Sequence, residues 1–391
     1  MKQFLSVLFI YLLTMQVSAQ ETTSYYAETT GTLPFLEFGP GKDRLGGAKM
    51  TYIDTAISLQ IVDSLHSNYL VQLSNNHRAF IPKRFLGPMH KQDQAPYHLT
   101  GSWSVYGDES YDYVRIQLDQ RLPYQSIQEI NPSRIVVDIF GATSNTNWIT
   151  QKTNVKEIKN VYHQQVEDDV FRVYIDLNNQ THWGYHIAYE GNTLVIRIKR
   201  SPEKKRLKDL KIAIDAGHGG SNLGARGGTG ILEKDYTLRF AKALQKQLSK
   251  KGAETYMTRE NDVDLSMSDR LLMLEEAQPD LLISLHLNSA SRRSAKGVST
   301  YYRYIGFRPL SQSILSRMLD LDLEEFGNIG SFNFTLNGAT AYPNCLVEIA
   351  FISNPEDEQR IQDPKFQEQV ARQIRRGIKD WLKRQEKGFI P

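Results

Sequence analysis

Hydrophobic residues follow two different spacings along the chain. Up to about residue 200, apolar and polar residues alternate in short runs such as Ile57, Leu59 and Ile61, and this period of two indicates β-strands. Beyond about residue 210, short apolar runs alternate with segments of helical spacing, for example around Leu244 and Leu248. The pattern therefore predicts a multidomain chain, with all-β modules followed by a C-terminal α/β domain.

The α/β region is predicted to alternate strands and helices, which is typical of a mostly parallel sheet flanked by helices. The predicted strands are 212–214, 255–258, 281–285, 298–302 and 345–349. The predicted helices are 235–248, 268–277, 309–326 and a final amphipathic helix that includes Phe366, Val370, Ile374, Ile378 and Trp381. This domain is expected to span residues 209–386.

The β-rich part divides into two predicted modules, at residues 27–88 and 96–200. A stretch rich in Gly, Pro and Gln, residues 87–96, is interpreted as the linker between them. A charged segment without periodicity, residues 201–210, is interpreted as a second linker. The first module is expected to contain about five strands.

The first residues have the composition of an export signal. Lys2 precedes the apolar run 4–13, and the small residues Val17, Ser18 and Ala19 form a cleavage pattern. Ten apolar residues are too few for a bilayer, which requires about 20. Residues 1–19 are therefore predicted to be a cleaved signal peptide, so the mature protein is expected to be exported, as a periplasmic, secreted or wall-associated protein without a membrane span.

Composition excludes several classes of function. The 391 residues carry 47 Lys and Arg against 44 Asp and Glu, and a net charge of +3 is too small to indicate a nucleic-acid partner. The single cysteine excludes an internal disulfide and a cysteine-rich zinc site. Cys345 lies at an odd offset from Glu348 on the same predicted strand, so it is interpreted as a small core residue on the opposite face.

Four polar side chains are expected to meet at one edge of the α/β sheet, because ligands bind at the carboxyl ends of such strands. His218 follows the first strand, His286 follows the third, and Glu348 lies within the last apolar run. Glu233 stands just before the first predicted helix. Only two of the nine histidines fall in this domain, and both lie at strand ends.

Two imidazoles and a carboxylate form a typical catalytic zinc set that leaves one position open for water. By composition, either Glu233 or Glu348 serves as the ligand and the other as the base. The apolar run around Glu348 would raise its pKa toward that of a useful general base. The Gly-rich loop 217–230 does not contain the G-x-G-x-x-G pattern of a phosphate-binding loop.

Five segments in this region resemble the zinc-dependent N-acetylmuramoyl-L-alanine amidases. They are IDAGHGG (214–220), GILEKD (230–235), TR (258–259), ISLHLN (283–288) and LVEIAFISN (346–354). The resemblance implies that His218, Glu233 and His286 bind one zinc ion and that Glu348 is the catalytic acid and base. It also implies a peptidoglycan polymer or its fragments as substrate, cut between N-acetylmuramic acid and L-alanine, with an activator protein as an additional partner.

The β-regions resemble modules that accompany such enzymes. The segments RIVVDIFG (134–141) and VFRVYIDL (170–177) resemble the AMIN domain, a β-sandwich that localises cell-wall enzymes. Residues 27–88 resemble a bacterial SH3-like module. Both modules would hold the catalytic domain on its polymeric substrate.

Two other functions stay open at this point. One is a different zinc hydrolase of peptidoglycan, such as a carboxypeptidase, which would release a single amino acid rather than a whole peptide. The other is a non-catalytic wall-binding or activator protein with an inactive amidase fold. Such a protein is expected to lack a ligand or the catalytic acid, whereas this chain keeps all four residues.

Overall fold

The computed structural model describes residues 24–39, 41, 48–92 and 97–386. The predicted signal peptide, residues 1–19, lies outside the described residues. Among the residues that are described, none of the helices combines the length and the apolar character needed to cross a membrane.

The first β-region forms one antiparallel sheet with the strand order β3-β2-β6-β5-β4-β1-β7. Its strands are β1 (Ser24–Glu28), β2 (Phe35–Glu37), β3 (Lys49–Tyr52), β4 (Ser58–Ser64), β5 (Asn68–Ser74), β6 (His77–Pro82) and β7 (His90–Gln92). The sheet has seven strands rather than about five. Strand β7 lies within the segment 87–96 that was predicted to be a linker, and that prediction is wrong there. Its three polar residues pair with β1 at the edge of the sheet and show no hydrophobic alternation.

The second β-region consists of two sheets that pack around one core. Its strands are β8 (His98–Gly107), β9 (Tyr111–Leu118), β10 (Tyr124–Ile130), β11 (Ser133–Phe140), β12 (Ala142–Thr143), β13 (Ile149–Gln151), β14 (Ile158–Glu167), β15 (Val170–Leu177), β16 (Tyr185–Glu190) and β17 (Thr193–Lys199). The sheet orders are β10-β11-β15-β14 and β12-β8-β9-β17-β16, with β13 paired to β8. Inward residues of both sheets, such as Ile116 and Val173, share a core with Leu36 and Val71 of the first region. The two β-regions are therefore packed against each other.

The C-terminal region is a six-stranded sheet flanked by helices, as predicted. Its strands are β18 (Lys211–Ala216), β19 (Glu254–Met257), β20 (Leu281–Asn288), β21 (Val298–Tyr301), β22 (Glu325–Ile329) and β23 (Asn344–Phe351). Its helices are α1 (Glu233–Ser249), α2 (Met267–Ala277), α3 (Arg308–Leu319), α4 (Pro355–Gln362) and α5 (Pro364–Glu386). The order is β19-β18-β20-β23-β21-β22, and every pair is parallel except β21 with β23.

One predicted helix is too long. Helix α3 ends at Leu319 instead of Phe326, and the chain reverses through Asp322, whose φ is +55°. It then returns as β22, which pairs in parallel with β21. Apolar residues after Leu319 continue the helical spacing, but pairing with the sheet edge determines the conformation here.

The two faces of this sheet have different roles. One face packs against α1, α3 and α5, and Cys345 is buried there beside Val347 and Ile349. The prediction that Cys345 is a core residue is confirmed. The opposite face carries Glu348 on the same strand, because successive residues of a strand point to opposite sides.

The three regions are joined by direct contacts. The rings of Trp183 and Trp381 lie 5.1 Å apart, and Trp183 belongs to the core of the C-terminal sheet. The backbone amide of Tyr185 donates to the carbonyl oxygen of Thr340 at 2.8 Å. Leu210, at the end of the predicted linker 201–210, is buried in the same core. The linker prediction is therefore wrong at this end.

Candidate metal centre

His218, Glu233 and His286 meet at the carboxyl edge of the sheet. One ligand atom from each lies within 4.8 Å of the others. Glu233 Oε1 is 3.1 Å from His218 Nε2 and 3.1 Å from His286 Nδ1. The two imidazole rings are nearly perpendicular, with centroids 4.9 Å apart. The structure thus brings together the three residues that the sequence proposed as metal ligands.

Each of these side chains is placed by a different element. His286 lies near the end of β20, and His218 stands two residues after β18. Glu233 is the first residue of α1, not a loop residue before the helix as the sequence analysis expected. Its carboxylate accepts backbone amides from Leu287 at 3.0 Å and Ala225 at 2.8 Å, so both oxygens have a defined orientation.

The loop after β18 holds His218 in a conformation that is unusual for a residue with a side chain. Its φ is +60°, in the left-handed region. The Arg270 guanidinium donates to the His218 carbonyl oxygen at 2.6 Å, and Asn222 Oδ1 lies 2.9 Å from His218 Nδ1. A Cβ on Gly217 would lie 2.3 Å from the His286 ring, so only glycine fits at this position of the loop.

A buried ion pair lies beneath this loop. Asp215 and Arg270 are each about 1% exposed, and Arg270 donates to Asp215 Oδ1. Thr258 donates to the same oxygen at 2.8 Å, and Ser284 donates to Oδ2 at 2.6 Å. Burial by itself would raise the pKa of Asp215, but the positive charges of Arg270 and His286 and the hydrogen bonds from Ser284 and Thr258 together outweigh it, and the pKa is lowered. The arrangement supports the strand end that carries His218.

The Gly-rich loop is fastened at its far end by a second carboxylate. Glu358 of α4 is buried and accepts the backbone amides of Gly228 and Thr229, at 3.1 and 2.9 Å. The Thr229 hydroxyl donates to it as well, at 2.7 Å. These three hydrogen bonds hold the loop that leads into Glu233 against α4.

The charge distribution suits a cation at this site. Burial disfavours the Glu233 carboxylate, but hydrogen bonds from His218 and His286 lower its pKa well below the ordinary range. Burial would lower the pKa of His218, yet its hydrogen bond to Glu233 and the negative charge there raise it overall. Glu233 is therefore ionised at neutral pH and attracts positive charge.

The donor set and the two carboxylate–imidazole distances fit zinc. Two imidazole nitrogens and one carboxylate oxygen form a common catalytic zinc set, with bonds of about 2.0–2.2 Å and an open fourth position. Such bonds place tetrahedral ligands about 3.3 Å apart, close to the 3.1 Å between Glu233 Oε1 and each imidazole.

Glu348 lies beside this centre, on the strand next to that of His286. In the parallel pairing of β20 and β23 it is the register partner of His286. Register partners on neighbouring strands are about 4.8 Å apart and point to the same face. The Glu348 side chain is half-buried, so the carboxylate is held on a rigid strand beside the proposed ligands.

Several supporting residues were given no role by the sequence. Asp215 lay within the first strand-end motif, and Arg270 was one polar residue on a predicted helix. Phe334 was not singled out, although its ring centroid lies 5.3 Å from that of His286. Only the pairing of distant segments shows that these residues contact the site.

Comparison with known proteins identifies two domains. Residues 212–380 match the family described as N-acetylmuramoyl-L-alanine amidase, and residues 104–198 match the AMIN domain. The amidase match contains all four candidate site residues.

Individual relatives agree with this assignment. The chain is 34% identical over 213 residues to the probable cell wall amidase LytH of Staphylococcus epidermidis, covering 54% of this chain and 71% of that protein. It is 34% identical to LytH of Staphylococcus aureus over 209 residues, covering 52% and 67%. A solved N-acetylmuramoyl-L-alanine amidase from Clostridium difficile 630 is 32% identical, covers 44% of this chain and 96% of that one, and has a TM-score of 0.43. The family matches and the LytH relatives show that the chain belongs to the N-acetylmuramoyl-L-alanine amidase family and is a cell-wall hydrolase that carries an AMIN domain before its catalytic domain.

Proposed function

We propose that this enzyme is a zinc-dependent N-acetylmuramoyl-L-alanine amidase, which cleaves the amide between N-acetylmuramic acid and the L-alanine of the stem peptide. The observation that supports this most directly is the meeting of His218, Glu233 and His286 within 4.8 Å. Glu348, in register with His286 on the next strand, adds the carboxylate that the reaction requires.

His218 Nε2, Glu233 Oε1 and His286 Nδ1 would hold the zinc. When bound there, zinc supplies Lewis-acid polarisation of the scissile carbonyl and lowers the pKa of water. Glu233 provides the negative charge, and its hydrogen bonds from Leu287 and Ala225 orient the carboxylate.

Glu348 moves the proton. Its carboxylate accepts a proton from the water whose oxygen adds to the lactyl carbonyl carbon. The same carboxyl group then returns that proton to the amide nitrogen as the C–N bond breaks, so the products are a carboxylate on the muramic acid and a free amine on L-alanine. The rigid position on β23 keeps this group aligned in both steps.

The remaining predictions about the whole protein are part of this proposal. The substrate is peptidoglycan, as polymer or fragments, and the enzyme works after export, in the periplasm or at the wall. The boundaries 27–88, 96–200 and 209–386 describe an SH3-like module, the AMIN domain and the catalytic domain. The two β-modules raise the effective concentration of the catalytic domain on the polymer, and an activator protein would act on the full chain.

Mass spectrometry of purified peptidoglycan after digestion tests the proposal. We expect stem peptides that begin with free L-alanine, which disappear with a zinc chelator and return when zinc is restored. The Glu348→Gln variant serves as the matched inactive control. Release of single amino acids would indicate a carboxypeptidase instead, and intact muropeptides despite bound zinc would contradict the proposed activity of the isolated enzyme.

A further inference from the structure

A cavity lies where the three regions meet. Its volume is about 410 Å³, within the ~300–1,000 Å³ typical of small-molecule sites. Tyr52 of the first β-region, Tyr185 of the AMIN domain and Tyr342 of the catalytic domain all line it. None of the four residues of the proposed active site lines this cavity. It exists only because the three regions pack together.

The cavity offers hydrogen-bonding groups that the protein does not use. Tyr342 is 4% exposed, and neither its hydroxyl nor that of Tyr52 has a hydrogen-bond partner in the part of the chain that the structure describes. By contrast, the Tyr185 hydroxyl lies 2.9 Å from Ser126, and the Tyr124 hydroxyl donates to Asp54 at 3.0 Å. Burial raises the pKa of both Tyr52 and Tyr342, so their hydroxyls stay protonated.

The lining of the cavity contains two acidic and two basic side chains besides a histidine. The acidic residues are Asp54 and Glu275, and the basic residues are Arg197 and Lys199. Lys199 forms an ion pair with Asp280 at 2.7 Å, and Arg197 lies 4.5 Å over the ring of Tyr111, so both cations already have partners. The site therefore offers no free cation to an anionic ligand and suits an uncharged ligand that has both apolar faces and polar groups.

A sugar has this combination, because its C–H faces pack on aromatic rings while its hydroxyl and amide groups bond with polar side chains. We propose that the cavity binds an N-acetylated sugar of the wall glycan, away from the bond that the active site cuts. The proposal rests on the proposed function for the identity of the polymer. Such a ligand would touch all three regions and stabilise their packing.

Binding is measured on the full-length Glu348→Gln protein, so that catalysis does not consume the probe. The probe is a β-1,4-linked trimer of N-acetylglucosamine, titrated by calorimetry. Tyr52→Phe/Tyr342→Phe removes the two free hydroxyls and keeps both rings. Tyr25→Phe/Tyr69→Phe is the matched control, since both residues belong to the first β-region and neither lines the cavity.

We expect the trimer to bind, and the Tyr52→Phe/Tyr342→Phe protein to bind at least tenfold more weakly while the control binds as before. Hydrogen exchange gives a second readout and is measured on the Glu348→Gln protein that keeps all its tyrosines. Added trimer should protect segments 51–55, 185–188 and 338–342 together.

Absence of trimer binding at millimolar concentration would overturn the proposal. The proposal would also fail if the control variant lost trimer binding to the same extent, or if the trimer protected only other segments from hydrogen exchange. Binding of a sugar-free stem peptide in place of the trimer would overturn it as well. Amidase activity is measured separately on proteins that retain Glu348, so a failed sugar site and a failed catalytic proposal give different results.

Discussion

The side-chain oxygen of Asn333 accepts a hydrogen bond from the backbone amide of Lys49 at 3.0 Å, although 284 positions separate the two residues. Arg303 also donates to the carbonyl oxygens of Lys49 and Met50. The residue after Asn333 is Phe334, whose ring packs against that of the proposed ligand His286. The first β-region thus contacts the segment that forms one wall of the proposed active site.

Replacing Asn333 with alanine should reduce kcat/KM on soluble wall fragments by roughly fivefold, because about 1 kcal/mol of support for the Phe334 wall is lost. Bound zinc should stay unchanged. Asn76→Ala is the control, because it removes an exposed side chain of the first β-region that donates to Glu167 of the second β-region at 3.0 Å and not to the catalytic domain. Unchanged kinetics for Asn333→Ala would show that the first β-region does not position this wall.

Glu348→Gln should retain zinc and lose turnover by about 10²–10⁴-fold, because the amide cannot accept and return a proton. Metal analysis and fragment digestion on the same preparation provide the test. A variant that keeps its turnover would refute the acid–base role.

His286→Ala should lower the zinc content of the purified protein, since one of three proposed protein ligands is removed. His66→Ala, at an exposed position in the first β-region, should keep full metal occupancy. Inductively coupled plasma mass spectrometry measures both, and full occupancy in His286→Ala would overturn the ligand assignment.

Asp215→Asn should destabilise the protein by about 3–5 kcal/mol, because it leaves the buried charge of Arg270 without its counter-charge. Asp209→Asn, in an exposed pair with Arg206, should change stability little. Urea unfolding at neutral pH compares them, and equal stability of the two variants would contradict a structural role for the buried pair.

Acid stability should depend on the same carboxylate. The folded-state pKa of Asp215 is lowered, so its contribution is present above its unfolded pKa of about 3.9 and is lost as pH falls through the folded value. Asp215→Asn should therefore lose stability less steeply between about pH 4 and pH 2. If the stability of the unchanged protein and that of Asp215→Asn fell equally steeply with pH, this contribution would be excluded.

Elements with a buried face were predictable from the sequence. Helices α1 and α2 and strands β20 and β23 lie where hydrophobic periodicity placed them, because their apolar faces are the core faces. Strand β7 and strand β22 were not predicted. Both are edge strands formed by backbone pairing, and their residues have no alternation that marks a core face.

The same division applies to the site. Local pattern proposed His218, Glu233, His286 and Glu348 as candidates, because the ends of parallel strands converge and few other residues there can bind metal or carry a proton. It left open which glutamate is the ligand, and only the family resemblance assigned the two roles. The sequence also determined the fold class and the face on which Cys345 lies. Tertiary structure decided that Arg270 supports His218, that Phe334 packs on His286 and that three regions enclose one cavity. Those contacts join residues far apart in the chain, and their geometry depends on packing that no local pattern records.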